Sequence, residues 1–141
     1  MEVFETDGPE ATEALGAQLA ARLVAGDVVY VVGELGAGKT TLVRGACRAL
    51  GVGGPVTSPT FAIAHRYRAA SGTTVSHLDL YRLASLAAED PDLLADYVGA
   101  DAITFVEWPP EQPGALGALP RITISLSHAG EQRRHVEVNG E

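Results

Sequence analysis

Apolar residues change their spacing several times along the 141-residue chain, and each change predicts an element. Ala11, Leu15, Leu19 and Leu23 recur every four residues, which predicts a helix from about Pro9 to Ala25 with one apolar face. Gly8-Pro9-Glu10 suits its start, because proline is preset for the first helical position and glutamate complements the positive end of the dipole. Gly26 supplies a left-handed stop. Asp27-Val28-Val29-Tyr30-Val31-Val32 is apolar without alternation, as in a strand covered on both faces. Gly33 to Gly38 is a glycine-rich turn, and a helical pattern runs from Lys39 to about Leu50, closed by Gly51.

The second half reads as mixed. Gly53 to Pro59 is loop, and Phe61 to Tyr67 alternates as a strand does. Ser71-Gly72 turns the chain back into a partner strand from Thr74 to Leu80. Ala84 to Val98 reads as a helix broken near Pro91, Ile103 to Glu107 as a buried strand, and Pro109 to Gly117 as loop. Arg121 to Leu126 and Arg134 to Val138 alternate around Ala129-Gly130, which predicts a terminal antiparallel hairpin. Interleaved strands and helices predict an α/β fold with a mixed sheet and helices on both faces. The length is that of one domain, residues 1–141.

Composition narrows the class. With 46% hydrophobic and 20% charged residues the chain has the make-up of a globular domain, not a disordered tail. One cysteine, Cys47, excludes a disulfide framework and any multi-cysteine zinc site, and it reads as a small core residue. His65, His77, His128 and His135 are scattered without metal-ligand spacing. A net charge of −8 argues against a broad basic face for nucleic acid. No apolar run approaches the roughly 18 residues of a membrane helix, and Met1 to Glu10 lacks the pattern of a signal peptide, so a cytoplasmic protein is expected.

Nine of the ten bases are arginines, and the one lysine, Lys39, closes Gly33-Glu34-Leu35-Gly36-Ala37-Gly38-Lys39-Thr40. That segment fits the phosphate-loop pattern G-x-x-x-x-G-K-[ST] without a gap. Gly33, Gly36, Ala37 and Gly38 would let backbone N–H groups turn inward around phosphates, and the helix start adds its dipole. Lys39 would reach the terminal phosphates, Thr40 would ligate Mg2+, and Thr41 would bond the innermost phosphate. A lone lysine leaves none for the N-K-x-D signature that reads guanine, which favours ATP.

Such chemistry needs carboxylates at strand ends. Glu107 follows four apolar or β-branched residues, and Asp79 ends His77-Leu78-Asp79. Taken singly, each also reads as a solvated strand end or a turn cap. Beside a Mg-nucleotide, Glu107 is expected as the Mg2+-linked acid and Asp79 as the more directly catalytic group, either able to serve the metal. Thr57-Ser58-Pro59-Thr60-Phe61 occupies a position where hydrolases often carry a γ-phosphate switch, and it also reads as a plain turn. A small-molecule or nucleotide kinase is the competing class, but no long insertion after the loop supplies an acceptor lid.

Four blocks carry a resemblance that spans nearly the whole chain: Gly33 to Gly45, Ser58-Pro59-Thr60-Phe61, His77-Leu78-Asp79-Leu80-Tyr81-Arg82, and Glu107-Trp108-Pro109. In these the chain resembles the bacterial TsaE family, formerly YjeE, of tRNA threonylcarbamoyladenosine biosynthesis. The resemblance implies a P-loop ATPase with ATP and Mg2+, working with TsaD and TsaB, which carry out the transfer to tRNA; tRNA would be met only through that complex. It also implies that Thr57 to Phe61 is the switch, that Asp79, Glu107 and Lys39 serve catalysis, and that Arg134 lies near the nucleotide. Relatives contact adenine through the N-terminal segment, which aligns loosely here around Pro9 to Thr12.

Overall fold

The computed structural model describes residues 1–56, 64–80, 98–109 and 119–140. In chain order these form β1 (Glu2–Thr6), α1 (Pro9–Ala20), β2 (Val28–Gly33), α2 (Lys39–Ala49), β3 (Ala64–Arg68), β4 (Thr74–Asp79), β5 (Ala102–Glu107), β6 (Ile122–His128) and β7 (Arg134–Gly140). The seven strands make one sheet in the order β1-β7-β6-β2-β5-β4-β3. Strands β6, β2, β5 and β4 run parallel, while β1, β7 and β3 pair antiparallel at the flanks. The fold is therefore a mixed α/β sheet with two described helices.

The two central strands are the most apolar ones, as burial on both faces requires. Val28, Val29 and Val31 of β2 and Ile103, Phe105 and Val106 of β5 are all buried. One face carries the main core: Val29, Val31, Phe105 and Ile124 pack with Leu15 and Leu19 of α1 and Leu42, Val43, Ala46 and Cys47 of α2. The other face carries a smaller cluster of Val28, Tyr30, Ala64, Leu78, Leu80 and Val106. Both described helices feed the first cluster. The further helix expected at 84–98, and with it the expectation of helices on both faces, falls almost wholly outside the described residues.

Helix α1 meets α2 at two glycines. A Cβ on Gly16 would lie 2.1 Å from the Leu42 carbonyl oxygen, and one on Gly45 2.0 Å from that of Glu13. Only hydrogen side chains permit this crossing, so the backbones touch where α2 leaves the sheet's polar edge. The Glu13 carboxylate spans the crossing to Arg44 and Arg48 at 3.4 and 3.2 Å.

One strand is added and two expectations are corrected. The N-terminal residues 2–6 form an edge strand against β7, with Phe4 opposite Val136. Helix α1 ends at Ala20, and a turn through Arg22 N–H to the Leu19 carbonyl still carries Leu23 inward, so the apolar spacing outlasts the helix. Gly26 is left-handed (φ 98°) but donates its N–H to the Ala102 carbonyl at 2.8 Å, tying the turn to β5 rather than capping α1. The terminal hairpin forms as expected, with Ile124 opposite Val138.

Candidate functional site

The carboxyl ends of β2, β4 and β5 lie side by side, Val31 beside Glu107 and Glu107 beside Asp79. Residues 34–38 turn above this edge and deliver α2 at Lys39. Gly38, the N-cap, has φ 96°, a left-handed conformation natural only to glycine. Behind the turn the chain passes so close to β6 that a Cβ on Gly33 would lie 2.5 Å from the Leu126 carbonyl oxygen. A cleft of about 270 Å³ opens here, lined by Leu35, Gly36, Gly38, Lys39, Thr40, Thr41, Asp79, Glu107 and Trp108.

Lys39 is buried, and its ammonium donates to the Gly33 and Glu34 carbonyls at 2.8 Å each. It also lies 4.3 Å from the centroid of the Trp108 ring, a cation–π distance. Burial lowers its pKa below the usual ammonium value, and the carboxylates of Glu107 and Asp79 pull the other way. Trp108 has φ 55°, the one left-handed non-glycine among the described residues. A bulky residue is strained there, and the strain marks the spot where β5 ends beside Lys39.

Glu107 is 3% exposed, and its two oxygens lie 3.1 and 3.0 Å from the Thr40 hydroxyl. The Nε2 of His77, itself fully buried, bonds the Glu107 Oε2. Three elements thus converge on one carboxylate: the start of α2, β4 and the end of β5. In the sequence His77 reads as one of four scattered histidines and as the start of the block that ends at Arg82, with no role of its own. The signal lay in strand alternation, which puts His77 on the same face as Asp79 and next to the strand that carries Glu107.

Arg134 reaches the loop from behind. Its Nε donates to the Ala37 carbonyl at 3.2 Å and its Nη2 to the Gly36 carbonyl at 3.1 Å. It borders a smaller pocket of about 100 Å³ with Gly8, Pro9, Thr12, Gly36, Gly38, Thr41 and Gln132. Thr41 touches both spaces. Thr12 is fixed at this rim by hydroxyl contacts to Thr6 at 2.8 Å and to the Gly8 carbonyl at 3.1 Å. Thr57, Ser58, Pro59, Thr60 and Phe61, the expected switch, lie outside the described residues. The chain leads toward them from Val56, whose carbonyl accepts from Arg44 Nε at 3.2 Å. Cys47 is buried in the core, as expected of a small residue in the helix after the loop.

The donor set at this edge is all oxygen: one hydroxyl and two carboxylates. That suits a hard cation such as Mg2+, which binds through one or two carboxylates and completes its shell with water and phosphate oxygens. Among the described residues no cluster of three His, Cys, Asp or Glu forms an all-protein metal cage. No described helix is long and apolar enough to cross a membrane.

Residues 6–136 match the family model for the threonylcarbamoyl adenosine biosynthesis protein TsaE. A Streptomyces coelicolor protein named tRNA threonylcarbamoyladenosine biosynthesis protein TsaE is 42% identical, covering 89% of this chain and 88% of that protein. A Synechocystis protein of the same name is 44% identical over 80% of this chain and 73% of its own. Among solved structures, Bacillus subtilis YdiB superposes with a TM-score of 0.67 at 30% identity, covering 96% of this chain and 82% of that one. The chain belongs to the TsaE family.

Proposed function

We propose that this chain is a Mg2+-dependent ATPase, a single P-loop domain over residues 1–141, acting as an accessory subunit in tRNA threonylcarbamoyladenosine biosynthesis. The observation that carries this reading is the Thr40–Glu107 contact on the floor of a cleft walled by the glycine-rich loop and Lys39. Gly33, Gly36, Ala37 and Gly38 shape the loop that would receive the phosphates, and the first turn of α2 leaves its N–H groups for them. Lys39 would exchange the Gly33 and Glu34 carbonyls for phosphate oxygens, gaining a charged partner for two neutral ones. Thr41 would bond the phosphate nearest the smaller pocket, and Arg134 would hold the loop's outer carbonyls in place.

Thr40, Glu107 and Asp79 would hold Mg2+. When bound, the ion supplies charge neutralisation across the phosphate oxygens. Asp79 would orient the attacking water, and residues Thr57 to Phe61 would be the switch that senses the terminal phosphate. The relatives' names assign them to tRNA modification, and the net charge of −8 argues that tRNA is reached through protein partners, homologues of TsaD and TsaB, rather than gripped directly.

Three measurements test this. Calorimetry with ATP and Mg2+ should give a measurable affinity that Lys39→Ala lowers by about 100-fold or more, because that change removes the lysine charge facing the phosphates. An unchanged affinity overturns the phosphate-loop assignment. Co-purification with TsaB and TsaD homologues should depend on ATP and Mg2+. Thin-layer analysis of labelled ATP should show free phosphate without a phosphorylated acceptor; a labelled acceptor would make the protein a kinase.

A further inference from the structure

His77 is the one member of the buried edge cluster with no role in the proposed function, and its environment constrains its orientation. Its side chain is fully buried on β4, and Nε2 bonds the Glu107 Oε2. Nδ1 is also buried and has no hydrogen-bond partner among the described residues. An ionised carboxylate only accepts, so Nε2 must carry the proton that it donates. The ring is therefore held in one orientation by its Nε2 bond to Glu107.

Thr40 has one hydroxyl proton and two Glu107 oxygens at nearly equal distance, 3.1 and 3.0 Å, so it does not by itself fix which oxygen faces the cleft. His77 does, because it engages Oε2 and not Oε1, which leaves Oε1 for whatever enters. We propose that His77 is a positioning residue that sets the Glu107 carboxylate for the cation accompanying the nucleotide. The inference rests on the Mg-nucleotide reading of the cleft. A donor behind a metal-binding carboxylate restricts its rotation and fixes its aim, and loss of such outer-shell partners costs roughly 10–100-fold in metal affinity.

The test compares His77→Leu, which fills the space without a donor, with His77→Gln, whose amide N–H reaches the place of ring Nε2. ATP binding is measured by calorimetry across a MgCl2 titration and again in chelator. His77→Leu should raise the Mg2+ concentration needed for half-maximal enhancement of ATP binding by about 10-fold or more. Metal-free ATP binding should stay near the parental value, and His77→Gln should recover most of the loss. A parental Mg2+ requirement in His77→Leu overturns the proposal. So does an equal loss of metal-free and Mg2+-supported binding, or a glutamine variant no better than leucine. A parental protein that binds no ATP in either condition overturns the nucleotide reading itself, and this inference with it. Should the variants not fold, long-range nitrogen–proton NMR of the parental His77 ring still decides: a proton on Nε2 agrees, and a bare Nε2 overturns the proposal.

Discussion

Helix α2 serves two neighbourhoods along eleven residues. Its first turn, Lys39 to Thr41, borders the cleft, where buried polar groups hold one another: lysine to loop carbonyls, threonine to Glu107, Glu107 to His77. The buried face of its middle, Leu42, Val43, Ala46 and Cys47, is apolar, and the helix meets α1 backbone to backbone through Gly16 and Gly45. At the first turn the constraint is electrostatic, and a side chain of another kind would still fit. At the crossing the constraint is volume, and no side chain fits. Substitutions at the two ends should therefore fail in different assays.

The largest effect belongs to the crossing. Gly45→Ala places a Cβ 2.0 Å from the Glu13 carbonyl oxygen, and its obstacle is backbone, which cannot swing aside. The helices must separate, opening the packing of Leu15 and Leu19 against Leu42 and Ala46. Overpacking usually costs 1–3 kcal/mol and more where nothing yields, so about 3 kcal/mol or more is expected from urea unfolding. A parental unfolding midpoint would show that the crossing is looser than its geometry.

At the cleft end, Asp79→Asn and Glu107→Gln should leave the fold standing while turnover with the partner complex falls by roughly 10²-fold. ATP affinity should fall less, because Lys39 and the loop remain. Parental rates in both variants would return these acids to ordinary roles as turn cap and strand end.

This contrast also explains what the sequence made legible. The loop, β2, α2 and Glu107 were readable because each is set by near neighbours: an apolar strand, glycines at fixed offsets, an acid at a strand end. Strand β1 was not, because its outer residues are mostly exposed and two are glutamates; it exists through pairing with β7, more than a hundred residues away. The helix crossing was equally hidden, since Gly16 and Gly45 look like mild helix breakers until the two backbones are brought together. His77 needed the β4–β5 register, a property of two strands at once.

Arg134 stands between the two regimes, a side chain that holds backbone. Arg134→Ala removes its donations to Gly36 and Ala37 without touching either core cluster. Charged hydrogen bonds of this kind contribute about 1–2 kcal/mol when partly exposed, so ATP affinity should drop by about 10-fold with little change in melting. Arg134→Lys should restore only part, because an ammonium on a flexible stem cannot reproduce the planar fork. Full affinity in Arg134→Ala would mean that the loop holds its shape unaided.

The smallest effect sharpens the comparison from the apolar side. Lys39 tolerates burial because two carboxylates oppose the shift that desolvation imposes. Cys47, two turns along the same helix, has only burial acting on it, and its thiol is pushed from an ordinary 9.0 up to about 12. The folded state therefore keeps a proton that the unfolded chain releases. The stabilisation this reflects is fully present below the unfolded value of about 9 and is lost as pH rises toward about 12. Cys47→Ala should lower stability slightly at neutral pH by leaving a small void. Its stability should then decline less steeply than the parental protein's above about pH 9. Tyr30, whose hydroxyl is also raised by burial, is present in both proteins and contributes equally to both slopes. Unfolding midpoints measured from neutral to alkaline pH decide the matter: parallel curves would mean that charge is accommodated in the packed half of α2 as well, and the division between its two ends would fail.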